Sequence, residues 1–157
     1  MTHRLDALRV RLDETGRDAF FSISAPDNQY LTGFLTSFGE ISSGIIVTSR
    51  EAIFLTDSRY TQQAREEVRG FSVEQISGDL LGACGERLMA IGAKEVAYDP
   101  GRITVDERDR LLAKFNGELE PVPTLVTGLR VRKSAEEIVA IQAASELAES
   151  VLADLLP

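Results

Sequence analysis

Apolar residues along this chain fall into two alternating rhythms. Leu5, Leu8 and Leu12 recur at the three- and four-residue interval that lines one face of a helix, and after Gly16 the run 19–23 is short, continuous and apolar, as in a buried strand. The same order of helix, glycine and strand returns three times. Tyr60, Ala64 and Val68 precede Gly70 and the strand 71–76; Leu81, Cys84, Leu88 and Ile91 precede Gly92 and the strand 95–98; Leu111, Leu112 and Phe115 precede Gly117 and the strand 118–122. A glycine after a helix supplies the left-handed residue that ends it without a Cβ clash. Helices alternating with short strands predict an α/β sheet with helices on its faces.

The rhythm breaks between the first and second units. Runs 43–48 and 52–56 are both strand-like, with only Ser49, Arg50 and Glu51 between them, so they predict an antiparallel hairpin and a mixed sheet. A short helix is expected to begin at Pro26, where proline suits the first turn, and to end near Gly33, leaving 34–42 as a loop. Thr104 with Glu107, and Ser134 with Glu137, have the capping-box spacing that satisfies orphan N–H groups at a helix start. Pro121 and Pro123 make 122–133 the expected linker. From Ser134 one long helix is predicted, with Ile138, Ile141, Ser145, Ala148, Leu152 and Leu155 on one face. Such a stripe needs something to pack on, and the chain is expected to be cut inside or just after this helix.

Composition changes this picture little. At 157 residues with 43% hydrophobic and 27% charged residues, the chain fits one soluble globular domain. A net charge of −8 argues against nucleic-acid or anionic-membrane partners, which require a positive footprint. Cys84 is the only cysteine, so no intramolecular disulfide forms. The charged N-terminus lacks a signal-peptide core and no segment has the length of an apolar span, so the expected location is the cytoplasm.

The search for chemistry finds no complete set. His3 is the only histidine and stands at the terminus, so neither a metal cluster nor a Ser-His-Asp triad can be assembled around it convincingly. The acidic pairs Glu66–Glu67, Asp106–Glu107 and Glu136–Glu137 point about 100° apart on a helix and do not converge on one ion. Cys84, on an apolar face, reads as packing rather than as a nucleophile. Gly78, Gly82 and Gly85 match no phosphate-binding spacing and read as a turn and close packing. Arg130, Arg132 and Lys133 precede the last helix; they form either a solvated linker or an ion-pairing element between two domains. No residue is assigned to catalysis, to a cofactor or to a metal.

Three stretches carry a resemblance. Asn28-Gln29-Tyr30-Leu31-Thr32-Gly33-Phe34 is similar to N-x-x-Y-L-T-G-F, Asp57-Ser58-Arg59-Tyr60 to D-x-R-Y, and Arg130-Val131-Arg132-Lys133-Ser134-x-x-Glu137-Ile138 to R-x-x-K-S-x-x-E-I, all from the N-terminal domain of the creatinase/prolidase family of Xaa-Pro peptidases. The opening helix with Arg4, Leu5 and Leu8 also fits. The resemblance implies a three-layer α/β/α fold of ribonuclease-H-like type with a mixed sheet of about five or six strands. It implies a domain over 1–130, with 131–157 as linker and first helix of a C-terminal pita-bread metallopeptidase domain. That second domain would hold two divalent metals (Mn, Co or Zn) and cleave the bond before proline; none of its ligands can be carried onto this chain. The expected partners are that domain, a second copy in a homodimer, and a proline-containing peptide. Phe38 and Glu40 of the 34–42 loop, with Arg59 and Tyr60, are the expected interface or substrate lid. Asn28, Tyr30, Gly33, Asp57, Lys133 and Glu137 are expected to be structural, with Asp57 capping a helix that starts near Ser58. The alternative is a pseudo-enzyme or stand-alone peptide- or protein-binding module of the same shape.

Overall fold

The computed structural model describes residues 2–35 and 42–156. Its elements follow in chain order: α1 (Thr2–Thr15), β1 (Ala19–Ser22), α2 (Ala25–Thr32), β2 (Ser43–Thr48), β3 (Ala52–Thr56), α3 (Thr61–Glu67), β4 (Ser72–Gln75), α4 (Leu80–Ala90), β5 (Glu95–Tyr98), α5 (Val105–Leu112), β6 (Glu118–Pro121), α6 (Thr127–Arg130) and α7 (Ala135–Leu155). The six strands form one sheet in the order β4-β3-β2-β1-β5-β6. Only β2 runs against its neighbours, antiparallel to both β1 and β3. The other three pairings are parallel.

Alternation along the strands divides the core into two layers. Phe20, Ile45, Val47 and Phe54 face one side, where Leu5, Leu8 and Leu12 of α1 and Leu31 of α2 cover them. Phe21, Ile46, Ile53 and Leu55 face the other, beneath Leu81, Cys84 and Leu88 of α4 and Leu111 of α5. A period of two on a sheet covered on both faces yields continuous apolar runs, which is why β1 to β3 read as unbroken hydrophobic segments. The edge strands differ: β4 and β6 are exposed at their ends and carry Glu74, Gln75, Glu118 and Glu120, with Pro121 closing β6. Charge and proline at an edge discourage pairing with another chain.

Helix ends follow the local chemistry. Gly16, Gly33 and Gly92 take positive φ directly after their helices, while α3 ends at Glu67 with an extended Val68 and the positive φ of Gly70 belongs to the turn beyond it. Gly117 does not take positive φ, and the left-handed role expected of it gives way to another: a Cβ there would lie 2.5 Å from the carbonyl oxygen of Lys94 and collide with the Phe115 ring. Gly85 lets α4 lie against α5, since a Cβ would come within 2.6 Å of the Leu111 carbonyl oxygen. Both capping boxes form. The expected linker is largely structured instead: Leu125 and Val126 are buried in the α1 layer and α6 follows them.

Candidate functional site: a polar edge at the carboxyl ends of the strands

The carboxyl ends of β1, β3 and β4 and the start of β2 share one edge of the sheet, and most of the motif residues stand there. Asn28 is buried in α2, where its Nδ2 donates to the carbonyl oxygen (3.1 Å) and hydroxyl (2.9 Å) of Ser43, tying α2 to the start of β2. Thr32 ends the helix: its hydroxyl donates to the Asn28 carbonyl at 2.6 Å and accepts from the Phe34 N–H at 3.1 Å. Gly33, at φ 82°, turns the chain out while its N–H donates to the Gln29 carbonyl. Phe34 then drops back into the core, 5.0 Å from the Phe54 ring and 6.2 Å from that of Tyr60, edge-on to both. Such edge-to-face pairs add about 0.5–1.5 kcal/mol beyond burial.

Leu35 and Ser42 are each tied to the body of the domain. On the near side, Gln63 Nε2 donates to the Leu35 carbonyl at 3.2 Å. On the far side, the Thr56 hydroxyl donates to the Ser42 carbonyl at 2.7 Å. Phe38 and Glu40, the expected lid residues, lie outside the described residues.

Beside those anchor points is a cleft of about 240 Å³ lined by Ser42, Asp57, Arg59, Asp79, Leu80 and Arg110 among others. Its charges are internally matched. Arg59 Nη2 donates to Asp57 Oδ2 at 2.8 Å, and the Arg59 guanidinium also lies 5.4 Å from the centre of the Tyr60 ring. Arg110 pairs with Asp79. The Arg59 side chain, followed by its backbone N–H, holds the Asp57 carboxyl below the usual range. Asp57 does not cap a helix at Ser58. Its Oδ1 accepts the Arg59 N–H at 2.8 Å in a tight turn, and α3 begins only at Thr61, after Tyr60, without a side-chain cap. Among the described residues that line the cleft, Asp57 and Asp79 are thus both paired with arginines.

A residue that sequence reasoning missed lies nearby, where the strand order reverses between β1 and β5. In open α/β sheets this switch point commonly receives a ligand. Here Asp27 fills it. Its carboxylate is buried, accepts a 3.3 Å hydrogen bond from the Ser22 hydroxyl, and has Arg130 Nη1 at 3.8 Å from Oδ1. Burial pushes its pKa up, while the charges of Arg102 and Arg130 pull the other way. The adjoining crevice, lined by Phe21, Ser22, Tyr98, Asp99 and Arg102, measures only about 10 Å³. That is roughly one water's worth of space, too little for a ligand.

The remaining motif residues cluster at the start of α7. Tyr30 is half-buried beneath the guanidinium of Arg4, 4.4 Å from its ring centre. Glu137 pairs with Arg4 at 2.8 Å, and Lys133 Nζ donates to the Arg130 carbonyl at 2.7 Å. Beyond its first turn α7 is exposed, including Ile138, Ile141, Leu152 and Leu155. Cys84 is buried and desolvation pushes its thiol far above the usual range. Among the described residues, no three His, Cys, Asp or Glu side chains gather as a metal site. Nor is any helix among them long and apolar enough to cross a membrane.

The family model described as Creatinase/Prolidase N-terminal domain matches residues 4–132. The chain belongs to that family. The uncharacterized peptidase YqhT of Bacillus subtilis (strain 168) is 29% identical over 154 residues, covering 98% of this chain and 42% of its own. An Xaa-Pro dipeptidase from Bacillus anthracis superposes with a TM-score of 0.88 at 21% identity, covering 98% of this chain and 42% of that one. The N-terminal domain of the cytoplasmic peptidase PepQ from Mycobacterium tuberculosis H37Rv superposes with a TM-score of 0.73 at 26% identity, covering 81% of this chain and 98% of that one. The chain thus spans 42% of the length of the first two relatives and nearly all of a solved N-terminal domain.

Proposed function

We propose that this chain is the non-catalytic N-terminal domain of an Xaa-Pro metallopeptidase that cleaves the bond preceding proline. The observation that carries the reading is the family match over 4–132, combined with relatives that are peptidases more than twice as long. In this reading residues 1–130 form the domain, and 131–157 link it to, and open, a C-terminal pita-bread domain. That second domain supplies the two divalent metals (Mn, Co or Zn) that activate water and polarise the peptide carbonyl. No step of that chemistry runs through residues of this chain.

The N-terminal domain then has two tasks, joining a homodimer and covering the partner's active site in the cytoplasm. The covering element is the 34–42 loop with Phe38 and Glu40, flanked by Arg59 and Tyr60. The hydrogen bonds that hold Leu35 and Ser42 support the assignment, because a loop tied to the body at both ends can present a short lid at a fixed place. Loops carried on rigid scaffolds are where binding residues concentrate.

The test is to purify the product of the whole reading frame that encodes this domain. Hydrolysis of Xaa-Pro peptides that is abolished by a chelator, by a particle of two chains in light scattering, is the expected result. No hydrolysis with Mn, Co or Zn supplied would instead assign a peptide-binding module. Unchanged turnover and affinity in Phe38→Ala and Glu40→Ala would remove the lid role alone.

A further inference from the structure

We propose that Arg4 is a positioning residue: it sets the direction in which α7 leaves the sheet domain, through a latch built on a carboxylate that also caps the helix. The latch is a property of this chain, and only its purpose, aiming a following domain, rests on the peptidase reading.

Arg4 stands in the first turn of α1, and three contacts hold its guanidinium. Nη1 donates to the Tyr30 carbonyl oxygen at 2.7 Å, Nη2 donates to Glu137 Oε1 at 2.8 Å, and the group lies 4.4 Å from the centre of the Tyr30 ring. Tyr30 belongs to the α2 segment that Asn28 and Thr32 tie down, so the guanidinium is oriented by the body of the domain. Glu137 divides its oxygens. Oε1 meets Arg4, while Oε2 accepts the Ser134 N–H at 2.8 Å, and the Ser134 hydroxyl accepts the Glu137 N–H at 3.2 Å. The Ser134 N–H and the charge of Arg4 both favour the ionised form of Glu137. The residue that starts the helix is thereby the residue that fastens it.

The rest of the helix makes no competing attachment. Among the described residues of α7, Glu137 alone is partly buried, and all the others are exposed. A second tether enters just upstream, where Arg130 Nη1 approaches the buried Asp27 at 3.8 Å. Lys133 Nζ bridges the carbonyls of Arg130 and Val131, at 2.7 and 3.4 Å, and stiffens the short connection. A planar guanidinium whose donors are committed on two sides constrains angle as well as distance, which a lysine ammonium does not. A partly exposed ion pair adds little to stability. The expected consequence is therefore a change in helix direction rather than in melting.

The test uses the 157-residue chain carrying nitroxide labels at Val105→Cys on α5 and Glu149→Cys on α7, both exposed positions, with distances read by double electron–electron resonance. Cys84 is buried and stays unlabelled. At a rise of about 1.5 Å per residue, a 20° swing about Ser134 moves residue 149 by about 8 Å, well within reach of the method. The parent is expected to give one narrow distribution. Arg4→Leu, Arg4→Lys and Glu137→Gln are each expected to broaden it at least twofold, and Glu136→Gln to leave it unchanged. Glutamine at 137 retains the capping acceptor, so Glu137→Gln separates the ion pair from the helix start. A broad parent distribution, or narrow ones in both Arg4→Leu and Glu137→Gln, overturns the proposal. Should Arg4→Leu fail to fold by circular dichroism, Glu137→Gln, at a partly exposed position, decides. No peptidase activity is read, so failure of the latch and failure of the peptidase assignment remain separate results.

Discussion

Adding one methyl group to Gly44 should destabilise the domain, and removing one sulfur atom should cancel the effect. Gly44 lies in β2 beneath α4. A Cβ built on it would stand 2.8 Å from Cys84 Sγ, whereas its next neighbours, Ile23 Cγ2 at 3.7 Å and Leu80 Cδ1 at 3.8 Å, are at ordinary contact. The clash therefore comes from one atom. Overpacking of this kind costs about 1–3 kcal/mol in a filled core. For a domain of this size, about 2 kcal/mol lowers the melting midpoint by roughly 4–8 °C. Cys84→Ala alone removes a buried atom and should cost about 1 kcal/mol. In that background the Gly44→Ala methyl enters the vacated space, where a buried methyl is worth about 0.8 kcal/mol, and should be close to neutral. The four proteins form a double-mutant cycle with an expected coupling of about 2 kcal/mol, measured by urea unfolding followed by circular dichroism. A cost for Gly44→Ala that is the same in both backgrounds, within about 0.5 kcal/mol, would refute the packing argument.

Other perturbations probe the edge and its buried groups. Thr32→Val deletes the hydroxyl that serves both the Asn28 carbonyl and the Phe34 N–H, leaving buried groups unmatched; urea unfolding should show a loss of about 1–3 kcal/mol. Asp27 has a raised pKa in the folded state, so the native protein binds the extra proton and this residue's contribution to stability falls as pH rises from the ordinary aspartate range, about 4, to the higher folded value. Asp27→Asn should remove that decline, so the difference in urea midpoint between variant and parent should shift in favour of the variant as pH increases; a constant difference from pH 4 to 8 would contradict it. Cys84, desolvated and held as the thiol, should react with a disulfide reagent no faster than the protein unfolds, so rapid modification of the native chain would show that its burial has been misread.

Much of the architecture was legible because local and tertiary demands agree. The apolar runs of β1 to β3 are unbroken because both faces of the sheet are covered, and the charged residues of β4 and β6 mark them as edges. The glycines at 16, 33 and 92 stand where the helices need a left-handed residue, whereas α3 has already ended at Glu67 with an extended Val68 before Gly70 is reached, and both capping boxes form where their spacing placed them. What escaped depends on distant partners. Gly117 is required by the Lys94 carbonyl and Phe115 ring, not by a helix end. The 122–133 stretch, which Pro121 and Pro123 mark as a break, carries Leu125 and Val126 into a layer assembled from α1 and α2. Asp27 reads locally as a first-turn carboxylate favoured by the helix dipole; its burial follows from Ser22, Arg102 and Arg130 gathering around it. Arg4 reads as one cation on an amphipathic helix, and only the fold brings Glu137 to it. At this edge, the sequence patterns marked the start of the 34–42 loop through Gly33, while the Gln63 and Thr56 hydrogen bonds to Leu35 and Ser42, the turn at Asp57 and the later start of α3 depend on partners brought together in three dimensions.

The central place of β1 has a consequence during synthesis. Its neighbour β2 emerges soon after it, but β5, which fills its other side, begins only at Glu95. At about 5–20 residues per second, roughly 4–15 s separate the end of β1 from the arrival of that neighbour. During this interval the β1-β2-β3 hairpin array has an open hydrogen-bonding edge at Ala19–Ser22, a strand whose four residues are all buried in the finished sheet. The nascent domain is therefore most exposed to wrong pairing, and most in need of a chaperone, after the hairpin is complete and before α4 and β5 have left the ribosome.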